Sequence, residues 1–134
     1  MSLKILTLAG IASLLFVLPA LAHHSFAMFD NEKRITISGT LKEFEFVNPH
    51  CWLHVTTVDA GTGKSVDWAF EMGSVTQISA QGWKADSVKP GEKITIEAHP
   101  LKDGSRGGQY TSATLGDGRT FKQNQNQNNN NAGR

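Results

Sequence analysis

The sequence predicts an all-β domain with a small α content. Three observations carry this reading: five segments of alternating apolar and polar residues, turn residues between them, and one short helix signature between the third and fourth segments. Alternation with a period of two puts successive side chains on opposite faces of a strand. Three strands, a short helix and two more strands is the order of the OB type, a small, five-stranded, partly open barrel. A β-sandwich is the alternative, but its immunoglobulin-like form needs about seven strands and no helix at that point.

The first segment, Ile35 to Phe46, places Ile35, Ile37, Gly39 and Leu41 on one face, then switches phase to Phe44 and Phe46. A change of phase near Lys42 and Glu43 implies a bulge or sharp bend, and Gly39 helps the strand curve. After an Asn48-Pro49 turn, His50 to Val58 alternates Cys51, Leu53 and Val55 against His50, Trp52 and His54. The run from Ala60 to Gly63 is a hairpin loop. It leads into Ser65 to Met72, with Val66, Trp68, Phe70 and Met72 on one side. Ser74 followed by Gln77 is a capping box, and Gly82 suits the residue after the helix. Val75, Ile78 and Trp83 then face the core. A Lys89-Pro90-Gly91-Glu92 turn opens the fourth strand, Lys93 to His99. A glycine-rich loop from Asp103 to Gly108 precedes the fifth, Tyr110 to Leu115, and Arg119 to Lys122 forms a short edge strand.

The two ends differ in kind from this middle. Lys4, an apolar run from Ile5 to Leu18, Pro19 and the Ala20-Leu21-Ala22 tripeptide make a cleavable export signal over residues 1–22. Its apolar run is about 14 residues, short of the ~20 that span a bilayer as a helix. The expected organisation is a signal peptide (1–22), an N-terminal segment (23–34), the barrel (35–122) and an Asn/Gln-rich tail (123–134). The Gln/Asn run of the tail has no apolar side chains to offset its ordering entropy. The expected location is the periplasm, with no membrane insertion after cleavage.

Removing the leader takes away Lys4 and leaves a formal charge of about zero. A neutral domain lacks the basic footprint of a nucleic-acid binder. Cys51 is the single cysteine. An internal disulfide is therefore impossible, and alternation puts this thiol with the core rather than in reactive surroundings.

Cleavage after Ala22 makes His23 the first residue, joining a free amine to an imidazole. That chelate, with a second imidazole from His24, His50, His54 or His99, suits copper, since Cu(II) favours tetragonal nitrogen ligation. Met28 or Met72 would add a soft ligand for Cu(I). His50 and His54 share a face but lie about 13 Å apart along the strand, so one ion cannot take both unaided. The other reading makes the outer His50, Trp52 and His54 face, with Asn48 beside it, a binding surface for a small ligand or a periplasmic protein. In a third, His50 or His54 pairs with Asp67 or Glu71 as acid and base. No nucleophile, phosphate loop or zinc-protease motif accompanies such a pair, so the domain is expected not to be an enzyme.

Taken together, H-H-S-F at 23–26, N-P-H at 48–50, W-x-F-E at 68–71, G-W at 82–83 and H-P-L-K-D-G at 99–104 form a set. It resembles a family of small exported bacterial proteins classed as a domain of unknown function. The resemblance runs from His23 to about Gly118. It implies a periplasmic home in a Gram-negative-type bacterium and no defined activity. It also draws attention to His23, His24, Asn48, Pro49, His50 and His99.

Overall fold

A computed structural model of the chain describes residues 26–123. A 3-10 turn over Phe26–Met28 precedes six strands: β1 (Ile35–Glu45), β2 (Trp52–Val58), β3 (Ser65–Glu71), β4 (Lys93–Pro100), β5 (Gly107–Leu115) and β6 (Thr120–Lys122). One helix, α1 (Val75–Ala80), lies between β3 and β4. The antiparallel order β3-β2-β1-β4-β5-β6 closes on itself through a parallel β3–β5 pairing. Five strands thus form a closed barrel of OB type, with β6 flanking β5. Because one sheet closes on itself, the sandwich alternative does not apply. Closure pairs β3 with β5 and leaves β6 as the short edge strand.

The expected phase change in β1 is a bulge. Leu41 pairs with Val55, and the next paired residue, Glu43, faces His54, which leaves Lys42 as the extra residue. Before the bulge β1 pairs with β4, and Gly39 sits opposite Ile94. A Cβ on Gly39 would collide with the Thr56 carbonyl oxygen and lie 2.7 Å from Val55 Cγ1. β1 bends sharply enough to serve both halves of the barrel because this position has no side chain.

The core gathers Leu41, Leu53, Val55, Phe70, Ile94, Ile96, Ala98, Tyr110, Ala113 and Leu115 from the strands, with Ile78 and Trp83 added by the helical connection. The capping box is present in full: Ser74 accepts from Gln77 N, and Gln77 Oε1 accepts from Ser74 N. It fixes the start of a helix too short to stand alone. Trp83 stacks on Phe121 at 4.2 Å between ring centres, and its Nε1–H donates to Tyr110 Oη at 3.2 Å. Tyr110 satisfies the one polar group of that indole at the price of its own burial, which pushes its phenol pKa far up.

Some expected boundaries move. His50 precedes β2, and Met72 follows β3. The larger shift is in β5, which begins at Gly107 rather than Tyr110. The glycines expected to loosen a loop are strand residues at the seam of the barrel. A Cβ on Gly107 would meet the Ala69 carbonyl oxygen at 2.7 Å, and one on Gly108 would meet that of His99 at 2.5 Å. Missing side chains let β5 approach β3 and β4 together.

A histidine and carboxylate face on the outer barrel

The bulge decides which side chains share the outside of β1, β2 and β3. Beyond Lys42, Phe44 pairs with Leu53 on the core side, so Glu43 and Glu45 turn outward opposite His54 and Trp52. On the other side of β2, Trp52 is opposite Glu71 and His54 is opposite Ala69. Trp52 therefore stands between two carboxylate-bearing strands, and its ring lies nearly parallel to that of His54 with centres 6.4 Å apart.

Each histidine here has a carboxylate of its own. His54 Nε2 lies 2.6 Å from Glu45 Oε1. His50 Nδ1 lies 3.0 Å from Glu71 Oε1 and 3.2 Å from the Met72 carbonyl oxygen. Both neighbours of that nitrogen are acceptors, so Nδ1 carries the hydrogen and, in the neutral ring, Nε2 carries the lone pair. Glu71 is the buried member, its side chain only 8% exposed against 38% for His50. A charged group so far out of water persists only when paired and hydrogen-bonded.

The acid–base pairing expected for His50 with Glu71 is thus present as a contact, whereas Asp67 goes elsewhere. Asp67 accepts from Thr56 Oγ1 at 2.7 Å and pairs with Lys42. These bonds hold its carboxyl below the usual range, the Lys42 hydrogen bond first among them. His54 instead takes Glu45 from β1. Glu43, Glu45 and His54 form a group whose ligand atoms all lie within 4.8 Å of one another, a separation that can admit a metal ion. The sequence reading missed the two glutamates as partners of His54. Their signal was present, because a phase switch that turns Phe44 inward must turn Glu43 and Glu45 outward.

The remaining candidates separate. His99 Nδ1 donates to the Lys33 carbonyl at 2.8 Å. It lines a groove of about 600 Å³ with Arg34, Glu97 and Lys122. Around the sheet it is opposite Gln109, which is opposite Glu71. His99 and His54 therefore belong to different parts of the wall. Asn48 Oδ1 accepts from Val75 N at 3.0 Å, so this side chain serves the start of α1. Met72 is buried in the core, and Met28 is 40% exposed. His23 and His24 lie outside the described residues. The N-terminal segment runs beside the end of β4: Phe29 bridges Leu101, Asp30 N donates to Pro100 O, and Lys102 N donates to Met28 O. Cys51 is fully buried, its Sγ–H donates to the Val47 carbonyl at 3.4 Å, and burial raises its thiol pKa. No described helix is long and apolar enough to cross a membrane.

The barrel topology and this outer face define a small OB-type domain carrying a histidine–carboxylate surface. The profile of a family of unknown function, DUF6152, matches residues 11–112, and the chain belongs to that family. A comparison with curated proteins finds no match. Among solved structures, two crystal structures of the mitochondrial single-stranded DNA binding protein Rim1 of S. cerevisiae are similar, each at 14% identity. One covers 62% of this chain and 92% of its own, with a TM-score of 0.48. The other, selenomethionine-labelled, covers 69% and 97%, with a TM-score of 0.47.

Proposed function

We propose that this protein is an exported periplasmic accessory domain, not an enzyme, that binds copper through the amine and ring of His23 and the ring of His50. The observation that carries the reading is the buried Glu71 carboxylate on His50 Nδ1. A carboxylate on one ring nitrogen of a histidine orients the ring and raises its basicity, the usual outer support of a metal-bound histidine. Copper follows from the nitrogen-rich donor set. Export follows from the leader at residues 1–22, and a mature chain beginning at His23 supplies the amine.

His50 is preferred to His99 because its Nδ1 is held by a buried carboxylate, whereas His99 Nδ1 is held by the Lys33 backbone carbonyl. The same face carries Glu43, Glu45 and Glu71, which would repel a phosphate backbone, so no nucleic-acid partner is proposed.

The test is copper titration of protein cut after Ala22, with paramagnetic resonance to count nitrogen ligands. One Cu(II) per chain is expected, with His23→Ala and His50→Ala each losing the site. Glu71→Gln should weaken binding roughly 10- to 100-fold. Equal copper affinity in wild type and His23→Ala would remove the chelate. Intact mass of the protein from a periplasmic fraction tests the export reading, and a chain still beginning at Met1 would count against it.

A second reading rests on Trp52, whose half-buried ring lies beside His54. Here the His50, Trp52 and His54 face grips a small ligand or a periplasmic protein and binds no metal. Under this reading Trp52→Ala abolishes capture of the partner, and His23→Ala changes nothing.

A further inference from the structure

We infer that Glu43, Glu45 and His54 form a Zn²⁺ site on the outer wall, separate from the copper chelate. Glu43 and Glu45 are two apart on β1, which sends both carboxylates to the same side. The bulge at Lys42 then sets Glu43 directly opposite His54 on β2. In a regular ladder that kept Lys42 paired, Lys42 would oppose His54, and the two carboxylates would turn toward the core. The bulge builds the site.

Charge gives the second argument. Among the described residues, no Lys or Arg lies within ion-pair distance of Glu43 or Glu45; the only such contact of either is His54 with Glu45. The nearest cation in sequence, Lys42, is held by Asp67 across the sheet. Two adjacent carboxylates thus share one imidazole, and Lys42, whose hydrogen bond goes to Asp67, acts on Glu43 only through space, a deficit that a cation removes.

The donor set selects the ion. Two carboxylates and an imidazole suit a borderline divalent metal, and Mg²⁺ or Ca²⁺ would prefer oxygen alone. Zn²⁺ sits about 2.0–2.2 Å from such ligands and commonly takes three from protein with a fourth position open to water. In a tetrahedral shell at those lengths, ligand atoms are about 3.3 Å apart. Here they lie within 4.8 Å, and the His54–Glu45 pair is at 2.6 Å. Binding therefore opens that pair slightly and draws Glu43 in. The ion takes the place of the hydrogen between Nε2 and Glu45, and the neutral ring carries its hydrogen on Nδ1 instead.

The experiment is Zn²⁺ titration of the protein cut after Ala22, with ¹⁵N resonance of the histidine rings. One Zn²⁺ per chain is expected, with His54 changing from the Nε2–H to the Nδ1–H form. Glu43→Gln and Glu45→Gln should each weaken binding roughly tenfold or more, and His54→Ala should abolish it. A His23→Ala/His50→Ala double variant should retain it, which separates this site from the copper reading. Glu43 is exposed, so Glu43→Gln stays informative if another variant fails to fold. Zn²⁺ affinity unchanged in Glu43→Gln and His54→Ala overturns the proposal. Ca²⁺ binding as tightly, with no dependence on His54, also overturns it and leaves only an acidic surface.

Discussion

The barrel wears two unlike outer faces, and β1 belongs to both. Before the bulge, Ser38 on β1, Thr95 on β4, Thr114 on β5 and Thr120 on β6 stand opposite one another in turn. Ser38 and Thr95 hydroxyls bond at 2.8 Å, and those of Thr114 and Thr120 at 3.2 Å. After the bulge, the outer positions hold Glu43, Glu45, Trp52, His54 and Glu71. The hydroxyl face satisfies itself with neutral neighbours, each cross-strand pair contributing about 0.2–1 kcal/mol. The histidine face commits charged groups, one of them buried, to orienting imidazoles. Such an arrangement is weak evidence for stability. The contrast teaches that hydroxyl pairing and histidine–carboxylate pairing occupy opposite sides of one bulge.

Phe44→Asp should break the contrast most severely. It sets an unpaired carboxylate on the core side of β1 beyond the bulge, where Phe44 packs against Trp83. An unpaired charge taken out of water costs several kcal/mol, comparable to the stability of a whole domain. The expected outcome is an unfolded chain by circular dichroism; a native-like thermal transition would show that this position does not face the core. Gly39→Val comes next, because its side chain must displace the Thr56 backbone at the bend. A loss of about 3 kcal/mol or more is expected in urea unfolding. A loss under 1 kcal/mol would mean that β1 can bend without the glycine.

Glu71→Ala should cost about 1–3 kcal/mol, since it strips a buried hydrogen-bonded charge and leaves His50 Nδ1 with the Met72 carbonyl. A thermal midpoint within a degree of wild type would place that pair with the merely exposed ones. Ser38→Ala, on the other face, should change stability by no more than about 1 kcal/mol and leave the proposed metal binding untouched. The smallest effect concerns Cys51, buried in the core just before β2. Burial raises its thiol pKa, so its thiolate fraction at neutral pH lies below that of an exposed cysteine. Alkylation by iodoacetamide should be slow in the native protein and fast in denaturant; rapid native labelling would show an open wall.

Alternation along the chain determined most of the fold. Leu53 and Val55 inward, Phe70 and Ile96 inward, and the Ser74–Gln77 box are local patterns that burial and capping enforce wherever the strand lies. The phase switch near Lys42 was legible too, because a strand cannot change its apolar side without an added residue. Tertiary structure alone decided register and closure. Which carboxylate reaches His54 depends on pairing across strands: the sequence pointed to Asp67 or Glu71 on β3, and the fold supplied Glu45 on β1. Gly107 and Gly108 read as loop, because local sequence cannot reveal that the Ala69 and His99 carbonyls occupy the space a side chain would need. Asn48 read as surface until the fold brought the start of α1 to its side chain. Periodicity assigns a residue to a face, and only the closing of the sheet assigns it a neighbour.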